Sequence, residues 1–109
     1  MPKFELLGVA QEIGAGSMKA YKTSAGEVLV VNVGGSFYAI SNVCTHAKEL
    51  LNNGMLVGTQ VVCPAHFAVF DVCDGKVARH PQEAEIAPIK TFTVTVQEGN
   101  LFLDVDAES

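Results

Sequence analysis

Val28-Leu29-Val30-Val31-Asn32-Val33-Gly34-Gly35-Ser36-Phe37-Tyr38-Ala39-Ile40 is the stretch that decides the fold. Two β-branched or aromatic runs flank a glycine pair, and a tight hairpin turn wants positive φ at both central positions, which glycine adopts without a Cβ penalty. The stretch reads as a β-hairpin. Further on, Thr91-Phe92-Thr93-Val94-Thr95-Val96 alternates with period two. Phe92, Val94 and Val96 form one face and threonine the other, the pattern of a half-buried strand. Gln97-Glu98-Gly99-Asn100 turns the chain, and Leu101-Phe102-Leu103-Asp104-Val105 runs back. Between the two hairpins lie shorter runs, Met55-Leu56-Val57, Gln60-Val61-Val62 and Ala68-Val69-Phe70-Asp71-Val72, with Asp74-Gly75 as a further turn. Residues 4–9 and 19–23 add two more candidate strands. Helical periodicity is not sustained anywhere over ten residues; 47–51 has room for one turn. Many short strands at this spacing predict an all-β fold, an antiparallel sandwich or barrel.

The chain has 109 residues, which suits one domain over 1–109, and 49% apolar residues suffice for one core. Twelve acidic against seven basic residues leave a net charge of −5. Nucleic acid and anionic membrane are therefore poor partners, and a basic patch on another protein is the better match. The opening Met1-Pro2-Lys3-Phe4-Glu5-Leu6-Leu7-Gly8 lacks the basic head and apolar run of a signal peptide. No apolar run approaches the roughly 20 residues of a membrane span, so the expectation is cytoplasmic. Three cysteines, an odd number, argue against a disulfide framework and for metal binding or free thiols. Gly14-Ala15-Gly16-Ser17 lacks the Lys-Ser/Thr ending of a phosphate loop and reads as a turn. There is no Ser/His/Asp set, no acid/base pair of carboxylates and no nucleotide fingerprint. The chain is not expected to be a catalyst.

The chemistry is concentrated in Cys44-Thr45-His46 and Cys63-Pro64-Ala65-His66, separated by sixteen residues. Each supplies one thiolate and one imidazole, and each stands where a strand pattern stops. Three readings are open. Buried cysteines and surface histidines could coincide by chance, although two Cys/His pairs in a chain with three of each make that strained. A structural Cys₂His₂ zinc site would suit the donors, but paired zinc ligands are usually spaced wider than Cys44 and His46 are. A two-iron cluster removes that difficulty, because each loop can give its cysteine to one iron and its histidine to the other.

The pattern of C-x-H, sixteen residues and C-x₂-H resembles the Rieske signature, in which type, order and spacing of four ligands must all agree. The resemblance continues through Phe70-Asp71, Gly75, Pro81 and the closing hairpin, from about Val28 onward. It implies a Rieske-type antiparallel β sandwich with a small cluster-binding subdomain, about 42–82, made of loops at one end. It further implies one [2Fe–2S] cluster, with Cys44 and Cys63 on the buried iron and His46 and His66 on the outer one. Within the family the chain is similar to the ferredoxin components of bacterial aromatic-ring-hydroxylating dioxygenase systems. Those are single Rieske domains that carry one electron at a time between an FAD-containing NAD(P)H ferredoxin reductase and a terminal Rieske non-haem iron oxygenase; one exposed cluster at one end suits a monomer that shuttles between sites. The alternatives are a Rieske-like regulatory or electron-transfer subunit of a nitrite-reductase-like enzyme and the structural zinc module.

Two ferric ions, two sulfides, two thiolates and two neutral imidazoles sum to zero charge. Such clusters therefore take up an electron more readily than all-thiolate ones, at roughly −150 to +300 mV. The high-potential respiratory members place a serine hydroxyl at the position of Ala68 and a tyrosine hydroxyl at that of Phe70. Neither residue here can donate to a cluster sulfur, which implies a potential near the bottom of the range. The same relatives brace their loops with a disulfide between the positions of Glu49 and Ala65. Cys73 reads as an ordinary packed or partly exposed thiol, and His80 as a solvated loop residue or a rim residue that tunes docking or potential. Pro81 reads either as a plain loop breaker or, as the resemblance implies and we favour, as the proline that shields the cluster. Lys48, Glu49 and Phe67 flank the ligands.

Overall fold

The computed structural model describes residues 3–45, 49–64, 67–81 and 85–105. Its strands are β1 (Phe4–Val9), β2 (Met18–Thr23), β3 (Gly26–Val33), β4 (Ser36–Ser41) and β5 (Met55–Val57), then β6 (Gln60–Val62), β7 (Val69–Asp71), β8 (Val77–Arg79), β9 (Thr91–Gln97) and β10 (Asn100–Asp104). All pairings between named strands are antiparallel. A six-stranded sheet runs β1-β10-β9-β4-β3-β2, and a four-stranded sheet runs β5-β6-β7-β8.

Residues 28–31 are apolar at every position because β3 is covered on both faces. Val28 and Val30 pack into a core with Ile13, Ala39, Phe92, Leu101 and Leu103, inside the six-stranded sheet. Leu29 and Val31 point the other way, into a second core with Ile40 and with Val61, Phe70 and Val72 of the small-sheet region. Side-chain period two sends successive residues to opposite faces, so a strand buried on both loses its polar alternation. The six-stranded sheet folds over itself at the short β4–β9 seam, where the register is Ala39↔Phe92 and Ile40↔Thr91. Its far edges meet where the Ser24 N–H and hydroxyl donate to Glu5 Oε1 at 3.1 and 2.6 Å.

Both expected hairpins form. Gly34 and Gly35 adopt φ of 58° and 97° between the paired Val33 and Ser36. The second turn is shorter than its sequence suggests: Gln97 and Asn100 already pair, leaving Glu98 and Gly99 as the turn residues. Val96, at the end of its strand, is exposed rather than buried with Phe92. β8 has no counterpart among the strands read from sequence. Among the described residues one helical turn lies at Leu51–Asn53 and another at Ala10–Glu12, while residues 47 and 48 of the 47–51 window lie outside the described residues. Among the described residues, no helix is long and apolar enough to cross a membrane.

Candidate metal centre

Cys44 and Cys63 occupy equivalent places at the bases of two hairpin-like loops. After β4, an antiparallel bridge joins Val43 to Leu50, and the Cys44 N–H donates to the Glu49 carbonyl at 3.0 Å. Where β6 passes into β7, Val62 pairs with Val69, and the Cys63 N–H donates to the Ala68 carbonyl at 2.7 Å. In each loop the cysteine amide bonds the carbonyl five residues on, and a histidine lies inside the span. Loop two is tightened by the Phe67 N–H, which donates to the Cys63 carbonyl at 3.1 Å. Phe67 takes φ of +61°, a left-handed conformation uncommon for a bulky side chain, and its ring is 68% exposed.

The two cysteines converge. Both belong to the core between β3–β4 and the small sheet, with exposures of 4% for Cys44 and 0% for Cys63. Thiolates buried there need a cationic partner to offset their desolvation, and soft sulfur donors suit iron–sulfur chemistry. His46, His66, Lys48 and Ala65 lie outside the described residues. Among the described residues no group of three or more His, Cys, Asp or Glu side chains assembles. The two sulfur donors are both sequestered from water in one core.

A third segment, between β8 and β9, is tied to the first loop. The Thr45 hydroxyl donates to the Ala87 carbonyl at 2.7 Å. Pro81, in the same segment, is buried. At the far end the Ile89 N–H donates to the Gly75 carbonyl at 2.8 Å. Gly75 has φ of +76°, and a Cβ there would lie 2.3 Å from the Ile89 carbonyl oxygen. Only glycine lets the segment come so close.

Sequence reasoning missed Asn42. It is wholly buried, and its Oδ1 accepts from the Asn52 N–H while its Nδ2 donates to Asn52 Oδ1, both at 2.9 Å. Its backbone carbonyl accepts from the Leu51 N–H at 2.7 Å. These bonds clamp the chain before Cys44 to the turn that follows the loop. An asparagine directly after the apolar strand ending Ala39-Ile40 was the available signal, since such a residue is buried only when satisfied.

Cys73 is exposed, in the turn between β7 and β8, where its N–H donates to Asp71 Oδ1 at 2.8 Å. Desolvation pushes its thiol above the ordinary range, and the Asp71 and Asp74 carboxylates add to this against a hydrogen bond with Tyr38.

The sequence model of the Rieske [2Fe-2S] domain matches residues 4–93, extending N-terminally beyond Val28. The ferredoxin component of the naphthalene 1,2-dioxygenase/salicylate 5-hydroxylase systems of Ralstonia sp. is 32% identical over 95 residues, 87% of this chain and 88% of that protein. A chain in the complex of reduced oxygenase and oxidized ferredoxin in carbazole 1,9a-dioxygenase superposes with a TM-score of 0.85 at 30% identity. The match covers 94% of this chain and 93% of that one. The Sphingomonas yanoikuyae B1 ferredoxin gives 0.85 at 29% identity, covering 94% and 98%.

Proposed function

The chain belongs to the Rieske [2Fe–2S] family, and from that premise we propose that it is the ferredoxin component of a ring-hydroxylating oxygenase system. It takes one electron at a time from an FAD-containing NAD(P)H reductase and passes it to a terminal Rieske non-haem iron oxygenase. It is an electron-transfer component and not itself a catalyst, a single domain over 1–109 that works as a cytoplasmic monomer. Cys44 and Cys63 hold the inner iron, and His46 and His66 the outer one.

The observation that carries this reading is the matched placement of Cys44 and Cys63 at the bases of two loops opening from one core. When bound, the cluster supplies a one-electron couple whose imidazole ligation sets it above plant-type ferredoxins, which lie near −400 mV. The protein's part is to keep the cysteine end dry and to hold the loops fixed, so that little rearranges between oxidation states. Apolar Ala68 and Phe70, both wholly buried beside the cysteines, offer no hydroxyl to that end. An acidic carrier favours partners with basic docking rims.

Iron and acid-labile sulfide analysis, with electron paramagnetic resonance of the dithionite-reduced protein, tests the assignment. Two irons and two sulfides per chain and a rhombic signal of low average g are expected, and Cys63→Ser should abolish both. One zinc per chain, or a colourless protein after reconstitution, overturns it.

A further inference from the structure

We propose that His80 is a positioning residue for the cluster loops, a hydrogen-bond acceptor that holds the strap from Ile86 to Ile89 where Ala87 meets the first ligand loop; this rests on the ligand assignment above. The Ile86 N–H donates to His80 Nδ1 at 3.1 Å. The Nδ1 atom is thus the accepting nitrogen of the ring in this contact.

The described part of the strap has no strand to pair with, yet its backbone groups still need partners. Three of them find one in close succession. Ile86 is bonded to His80, Ala87 to the Thr45 hydroxyl, and Ile89 to Gly75. Thr45 lies between Cys44 and His46 in the sequence, so the middle bond reaches the first ligand loop directly. The Ile86 side chain packs against the core that contains both cysteines.

His80 is itself well anchored. It follows Arg79, the residue that β8 pairs with Val69, and Val69 adjoins Ala68, whose carbonyl accepts the Cys63 amide. The imidazole therefore links the base of the second ligand loop to the strap that holds the first.

The test compares His80→Leu, which keeps bulk but removes the acceptor, with His80→Asn, whose Oδ1 falls near the place of Nδ1. On the holoprotein one measures hydrogen–deuterium exchange over 85–89, the rate of iron loss to a ferrous chelator, and the resonance g values. A net neutral hydrogen bond corresponds to a factor of roughly 2–10 in an opening equilibrium. Exchange and iron loss should therefore rise by about that factor in His80→Leu, with altered g values, and return towards wild type in His80→Asn. A His80→Leu protein that cannot retain its cluster, beside a His80→Asn protein that can, supports the proposal equally. Wild-type behaviour of His80→Leu, or equal loss in both variants, overturns it. A wild-type protein without iron and sulfide overturns the ligand assignment instead, and metal analysis distinguishes the two.

Discussion

Ala68 lies wholly buried in the same core as Cys44 and Cys63, and its carbonyl accepts the Cys63 amide. A hydroxyl there would face the sulfur side of the site and favour the reduced, more negative state. One extra net hydrogen bond of about 1 kcal/mol corresponds to about 40 mV for a one-electron couple. Ala68→Ser should accordingly raise the midpoint by an amount of that order; redox titration of a well-folded variant showing no shift would refute the placement. Cys73 tests the opposite case, an exposed thiol held neutral by desolvation and neighbouring carboxylates. The thiolate is the nucleophile, so raising the folded pKa lowers its fraction at neutral pH. Iodoacetamide should modify Cys73 more slowly in the folded holoprotein than in denaturant, the gap closing as pH climbs through the folded value. Equal rates near pH 7 would contradict the arrangement. At this scale the cysteines were legible because spacing identifies them. Thr45, Asn42 and His80 were not, because each acts through a partner at least six positions away.

The clamp around Asn42 joins β4 to the turn at Leu51–Asn53 and so fixes both ends of the first ligand loop. Asn42→Ala leaves Asn52 groups without these partners and should cost about 1–3 kcal/mol. Guanidinium-induced bleaching of the holoprotein should shift to lower denaturant, and an unchanged midpoint would show that the clamp is dispensable. The β3–β4 hairpin was legible because local signals agreed: β-branched runs and a glycine pair suited to a two-residue turn. β8 was not, because Val77-Ala78-Arg79 is only three residues long and ends in a charge. It is a strand only because β7 presents it with partners, Phe70 to Val77 and Val69 to Arg79.

Two cores divide the molecule's stability. One lies within the folded six-stranded sheet, and the other holds both cysteines. Metal binding is coupled to folding through the ligands' own loops, and local opening follows the weaker unit. Stripping the cluster should therefore raise hydrogen exchange over 49–64 and 67–81 well before β9 and β10 respond. A uniform rise would mean that the two cores open as one. The net charge of −5 makes a second prediction at this scale. Opposite charges steer encounter and salt screens them, over about 10 Å at 0.1 M. Electron transfer to a basic partner should slow as ionic strength rises, and a rate indifferent to salt would exclude electrostatic steering.

By itself the sequence determined the all-β architecture, both long hairpins and the two Cys/His pairs, because each is a local pattern whose cause lies within a few residues. Packing, in contrast, puts Cys44 and Cys63 in one buried core, lets the strap approach Gly75, and supplies polar partners to Asn42 and His80. Those contacts join segments that share no periodicity. For the cysteines, Gly75 and Asn42 the surroundings exclude water as a competing partner, whereas the His80 bond is made at the surface, and both follow from packing rather than from sequence spacing.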